Sequence, residues 1–316
     1  MASHEEYLSL SGGETFIRWD VPHLRNVQDS MAQKDSTAMT HAKSPTILLL
    51  HGATVPLWQF DLLVPYLLKY TGYRILRIDL YGHGNSSMAT RNNVKFDMSL
   101  FIEQVREVLW ELGRRGDLVP DSDMFALGHS LGAAVVSGVA SLPRPIIKIR
   151  KILLCAPMLH YAELQPHVKA MMLPFVGEFL ISCVIIPYLR RRRKKRYGAI
   201  GCYDLGERFV QQTQVPGYPQ ALLSIFRDGC LNDQMHLYQN LAESDVSVKV
   251  MYGSKDNVAN EEQIRRIVET ISATKNGGGS DVHVERFEGL EHNLLMSHPE
   301  ISAKSVADFF AGADGY

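Results

Sequence analysis

Gly128-His129-Ser130-Leu131-Gly132 sets a serine at the centre of a G-x-S-x-G pattern. A serine hydroxyl is a poor nucleophile on its own. It needs a base to take its proton, and that base needs a third group to orient it. Five residues are a short pattern, but the setting is informative. An apolar run (MFAL, 124–127) precedes it and a small-residue run (AAVVSGVA, 133–140) follows. Strand, sharp turn and helix are what a nucleophile elbow requires, with glycines keeping the neighbouring backbone clear of Ser130. The competing reading is an ordinary glycine-rich turn carrying a solvated serine.

Two later turns supply the partners. An apolar run ends at Tyr252 and is followed by Gly253-Ser254-Lys255-Asp256; another ends at Phe287 and is followed by Glu288-Gly289-Leu290-Glu291-His292. Loops at the carboxyl ends of parallel strands gather at one edge of the sheet. Ser130, Asp256 and His292 are therefore expected to converge there as nucleophile, orienting acid and base. His283 lies inside an alternating strand pattern and His298 beyond the loop, before Pro299, so both read as structural. A tetrahedral intermediate also needs donors for its oxyanion. The N–H of Leu131, just after the nucleophile, is one. The N–H of Ala53, in His51-Gly52-Ala53-Thr54 after an earlier strand, is the other. Gly52, His129 and Met158 are expected to touch the substrate.

These turns need a frame. Residues 5–20 read as a hairpin around Ser11-Gly12-Gly13, and 22–45 as a polar loop. Short apolar runs at Thr46–Leu50, Arg74–Leu80, Met124–Leu127, Ile149–Ala156, Val246–Tyr252 and Val282–Phe287 read as strands, mostly of a parallel sheet buried on both faces. Helical spacing covers Leu57–Tyr70, Phe96–Leu112, Leu131–Leu142, Glu261–Thr274 and Ile301–Phe310, with a glycine loop at 277–279. Alternating strands and helices imply an α/β doubly wound sheet. The rhythm breaks once, over 158–240, which is helical and irregular. The expected division is a core of 1–157 and 241–316 with a helical lid, 158–240, inserted between.

Taken together, HGAT (51–54), DLYGHGNSS (79–87), GHSLG (128–132) and GSKD…EH (253–256, 291–292) make the chain resemble an α/β-hydrolase with a cap domain. The matching pieces cover about residues 46–157 and 246–310. The resemblance implies an eight-stranded, mostly parallel sheet, a lid after strand six, and no cofactor. Serine at 130 separates the chain from the dehalogenase and epoxide hydrolase branches, which use aspartate there. Glu291, directly before the base, departs from the small residue more usual in the family.

Composition is that of an ordinary globular protein: 316 residues, 46% hydrophobic and 21% charged. Global disorder, collagen-like repeats and a disulfide miniprotein are excluded. Net charge is −1, yet seven basic residues stand together as Arg190, Arg191, Arg192, Arg193, Lys194, Lys195 and Arg196. A nucleic-acid binder more often spreads such charge over a face, so no nucleic-acid partner is expected. The run directly follows a very apolar stretch, Met171–Leu189, that approaches the length of a membrane span. Spanning conflicts with strands of one sheet on both sides of the lid. The stretch is then a lid over the active site, or a lid that also touches an anionic membrane through the basic run, where each cation contributes about 1 kcal/mol. The amino terminus has no basic start before an apolar run, and no C-x-x-C or zinc spacing occurs, so a cytoplasmic protein is expected, peripheral on a membrane if the lid docks.

The leading functional expectation is a serine hydrolase of carboxylic esters, lipid-like ones such as monoacylglycerols or lysophospholipids. The same elbow serves peptidases, thioesterases and carbon–carbon bond hydrolases, because fold does not fix substrate. A peptidase taking free amino termini needs an acidic anchor, for which Glu163, Glu178 and Asp204 are available. A ligand-binding homologue with little turnover is the remaining class.

Overall fold

The computed structural model describes residues 1–22, 44–88, 95–159, 166–171, 173–230, 233–275 and 282–312. The expected polar loop falls mostly outside these, as do Glu163 and the glycine loop at 277–279. Eight strands form one sheet: Ala2–Leu10 (β1), Gly13–Val21 (β2), Thr46–Leu50 (β3), Arg74–Ile78 (β4), Met124–His129 (β5), Ile149–Cys155 (β6), Ser247–Gly253 (β7) and Val282–Phe287 (β8). Their order is β1-β2-β4-β3-β5-β6-β7-β8. β1 and β2 make the expected hairpin, and β2 runs antiparallel to β4. From β4 to β8 every pairing is parallel.

Burial explains which runs became central. All residues of β3, β4 and β5 are buried, as strands covered on both faces must be, whereas the edge strand β8 is largely open. Arg77 on β4 is buried too, and it is paired. Its guanidinium meets Asp20 of β2 at 2.7 Å and Asp61 at 2.5 Å, which offsets the cost of removing the charge from water.

Helix Met98–Arg115 shows how local chemistry sets the ends. The Asp97 carboxylate accepts the Leu100 N–H at 2.9 Å, and Gly116 closes the helix at φ 81°. Between them Phe101, Val105, Val108 and Leu112 turn one stripe to the sheet. The single helix expected over Leu57–Tyr70 is instead a 3₁₀ turn, Leu57–Phe60, and a helix, Val64–Thr71. Pro65 lacks an N–H and fits only in a first helical turn, so it marks a new start.

The insertion follows β6. Val176–Leu180, a π-helical segment Ile181–Ile185 and Ile186–Ala199 run on as one continuous helix, succeeded by Tyr203–Gln212, Tyr218–Ser224 and Met235–Ala242. Tyr197, Leu205 and Phe209 of the insertion pack with Val55, Trp58 and Met296 of the core loops. Leu237, Tyr238 and Leu241 join the core beneath the sheet. Among the described residues, no helix is long and apolar enough to cross a membrane.

Candidate active site

Ser130 joins β5 to helix Leu131–Ala140 at φ 54°, ψ −113°, a conformation L-residues avoid. The two flanking glycines are steric requirements. A Cβ on Gly128 would stand 2.2 Å from the Gly132 carbonyl oxygen, and one on Gly132 would stand 2.3 Å from that of Leu50. Gly132 thus lets the helix start pack on the end of β3, which brings Leu131 beside the loop of Ala53.

Asp256 and His292 meet as expected, Nδ1 to Oδ2 at 2.8 Å. The Asp256 side chain is fully buried, and its Oδ1 accepts the N–H groups of Val258 (2.8 Å) and Ala259 (2.9 Å). Three fixed donors therefore set the carboxylate plane. Gly253 has the same role at this edge as Gly132 has at the elbow: a Cβ there would lie 2.3 Å from the Leu290 oxygen, so it admits the His292 loop. The rival histidines are elsewhere. His298 is exposed at the start of helix Pro299–Ala311, and His283 is exposed on β8.

Among the described residues, no hydrogen bond joins the Ser130 hydroxyl to the His292 ring. Such contacts commonly tighten only once substrate is bound. The two are tied through His129. Its Nε2 donates to the His292 carbonyl at 2.9 Å, and the rings lie 4.9 Å apart. Burial, aided by neighbouring His292, pushes His129 down to about 3, so it is neutral with its proton on Nε2. Among the described residues its Nδ1, against Gly52, has no hydrogen-bond partner. His129 is thus buried beside the nucleophile and braces the His292 loop through the Nε2 bond. Met158 is buried in the core just after β6, and its carbonyl accepts from Tyr238. Gly52 does sit beside the nucleophile, where a Cβ would be 3.4 Å from Ser130 Cβ.

The loop His51-Gly52-Ala53-Thr54, expected to serve the oxyanion, is held by its carbonyls. His51 Nδ1 donates to the Gly52 oxygen at 2.8 Å while its Nε2 accepts the Leu80 N–H at 2.9 Å. His83 Nε2 donates to the Ala53 oxygen at 2.8 Å, and the Tyr218 hydroxyl donates to that of Thr54 at 3.4 Å. Burial is the main cause that lowers both His51 and His83, disfavouring the charged ring in each. Those bonds fix the loop's conformation; among the described residues the Ala53 N–H makes no hydrogen bond, and the Leu131 N–H, as the first of its helix, has no intrahelical acceptor.

Asp79 anchors the same loops, accepting Leu57 N–H at 2.8 Å and Asn85 N–H at 2.9 Å. Burial, outweighing those bonds and Arg77 and Arg208, pushes its carboxyl up to about 7. An unfolded aspartate titrates near 3.8. The folded chain thus holds this proton across the interval, and stability from the group is complete below about pH 4 and declines as pH climbs to about 7. The decline is roughly 4 kcal/mol at most. Asp79→Asn is expected to flatten it. Thermal unfolding of both chains between pH 5 and 8 is the check, and equal slopes would remove the assignment.

Sequence reasoning missed the inward part of the basic run. Arg193 donates to Thr54 Oγ1 at 3.0 Å, immediately past Ala53. Arg196 pairs with Glu291. With its amide oxygen turned to them, Asn293 accepts from Arg196 at 2.8 Å and Arg193 at 3.3 Å. Arg190 donates to Thr213 Oγ1 at 2.6 Å. These three are only half-buried, but their guanidinium groups are engaged by the protein, because one face of their helix meets it. Arg191, Arg192, Lys194 and Lys195 are exposed, with Lys194 paired to Glu207. The Glu291 carboxylate is thus committed to the lid.

A family model described as "Serine aminopeptidase, S33" matches residues 41–299. The chain belongs to that family. No curated protein matches it. Among solved structures, a carboxylesterase of the ammonia-oxidizing thaumarchaeon Nitrososphaera gargenis is 18% identical, with a TM-score of 0.69 over 97% of this chain and 98% of that one. The epoxide hydrolase CorEH is 17% identical, with a TM-score of 0.71 over 99% and 100%. The thioesterase domain of the curacin biosynthetic pathway is 17% identical, with a TM-score of 0.65 over 98% and 100%. At such identities these share the α/β-hydrolase fold with this S33-family chain. Within that family frame, the chain is a serine hydrolase.

Proposed function

We propose that the protein hydrolyses carboxylic esters of lipid-like molecules, of the monoacylglycerol or lysophospholipid type, through an acyl-enzyme. Ser130 Oγ attacks the ester carbonyl carbon while His292 Nε2 takes its proton. The resulting oxyanion accepts from the Ala53 and Leu131 N–H groups. The carbon–oxygen bond to the leaving group breaks, and His292 returns the proton to the departing alcohol. His292 then deprotonates a water that attacks the acyl carbon, releasing the acid and restoring Ser130. Asp256 holds the imidazole tautomer throughout.

One observation favours an ester over the free amino terminus that an aminopeptidase takes. The side chains that the lid brings to Thr54 and Asn293 are the guanidinium groups of Arg193 and Arg196, and the carboxylate among them, Glu291, is already paired. An ammonium group is repelled there, whereas a neutral or anionic head group is not. Glu178 is bound to Arg227 at the far end of the lid helix, and Asp204 is exposed, so neither supplies an anchor.

A panel of para-nitrophenyl esters from acetyl to palmitoyl, run beside an aminoacyl para-nitroanilide, tests this. We expect Ser130-dependent hydrolysis that rises with acyl length and leaves the anilide intact. Cleavage of the anilide alone would overturn the reading.

A further inference from the structure

The continuous lid helix from Val176 to Ala199 has two faces, and the outer one is chemically divided. Its N-cap residue Phe175 is 89% exposed, and its first half exposes Phe179, at 62%, with Val184 and Tyr188. Its second half exposes Arg191, Arg192 and Lys195. Each residue of an α-helix advances about 100°. On plain helical spacing the two halves would not line up. The π-helical segment Ile181–Ile185 widens one turn and absorbs about one residue. That delay puts Phe179, Pro187, Arg191 and Lys195 on one side, with Phe175 exposed at the amino end. On the opposite side stand Gly177, Ile181, Ile186, Arg193 and Tyr197, which turn inward.

The apolar tip is built to be presented. Arg227 donates to the Met171 oxygen at 2.6 Å and the Leu173 oxygen at 2.8 Å, and pairs with Glu178 at 2.7 Å. Gly177 makes room for it, since a Cβ there would lie 2.3 Å from the guanidinium. Phe175 itself has φ 61°, a left-handed conformation that a bulky residue rarely adopts. Neither backbone preference nor solvent favours a phenylalanine held out in that way.

We propose that this face docks on an anionic lipid surface, with Phe175 and Phe179 entering the apolar boundary and Arg191, Arg192 and Lys195 against the head groups. An aromatic tip beside cations on one side of a helix matches a membrane interface in both polarity and charge. The proposal is independent of which ester is cleaved. It also narrows the basic run to its outward members, because Arg190, Arg193 and Arg196 are engaged inside.

Flotation with phosphatidylcholine vesicles, with and without phosphatidylserine, tests it. The wild-type chain should bind the phosphatidylserine vesicles and release as salt screens the charges. Replacing Arg191, Arg192 and Lys195 by Gln should weaken that binding about a hundredfold. Phe175→Ser with Phe179→Ser should weaken binding at least tenfold. Both variants should keep wild-type hydrolysis of a short soluble ester, which shows that they fold. Equal binding to both vesicle types would overturn the proposal, as would unchanged binding by the Phe variant. So would a wild type that ignores vesicles but forms dimers in light scattering that the Phe variant does not, since the face would then serve a second copy.

Discussion

Ser130→Ala is expected to lower kcat for a soluble ester by roughly 10⁴-fold or more, because members of such a triad act as a unit. The structure makes this a clean test. Serine and alanine bear the same strain at φ 54°, and the side chain is nearly buried, so the fold should change by no more than about 1 kcal/mol. Loss of rate with a matching melting curve would therefore report chemistry. Retained turnover would mean that another nucleophile does the work and would sink the assignment. His292→Ala should behave alike; an equal loss from His298→Ala instead would identify the wrong base.

The second large effect comes from an almost isosteric change. Asp256→Asn should cost roughly 10³- to 10⁴-fold in kcat. The Val258 and Ala259 N–H groups both point at Oδ1, so an asparagine must keep its oxygen there. Its NH₂ then faces His292 Nδ1, where the carboxylate had accepted. The ring responds by carrying its proton on Nε2, the nitrogen that must be bare to take the proton of Ser130. Steady-state rates with melting curves decide the matter. A loss below tenfold would show that Asp256 does not set the tautomer.

The Ser130 turn and the Asp256–His292 pair were legible because each of these residues lies in a short turn directly after an apolar strand, and strand direction alone gathers such turns. The glycines were legible for the same local reason. What lies around the triad was not. His83 and Gln59 bond backbone atoms of the 51–54 loop, such as the Gly52 N–H bound by Gln59 at 3.2 Å, Asp79 bonds those of Leu57 and Asn85, and no spacing in the chain announces a bond to a backbone atom elsewhere. The basic run hid its inward members for a different reason. Seven consecutive cations are equally polar all round a helix, so they carry no periodicity from which to read a face. Leu57–Tyr70 had the right spacing but not the break, which a proline alone imposes.

The π-helical turn at Ile181–Ile185 has a bearing on how this lid tolerates changes in length. It holds one residue more than an α-helical turn needs. Deleting Ser182 or Cys183 should let the turn tighten and leave every downstream side chain on its present side, at the cost of about 1.5 Å of reach. Straightening the turn with all its residues kept would rotate the helix beyond it by about a quarter turn. Arg193 would then swing toward water and Arg192 toward Thr54. The lid can therefore lose a residue at this one place and keep its orientation, while the same loss a few positions later, among the arginines, would not be forgiven.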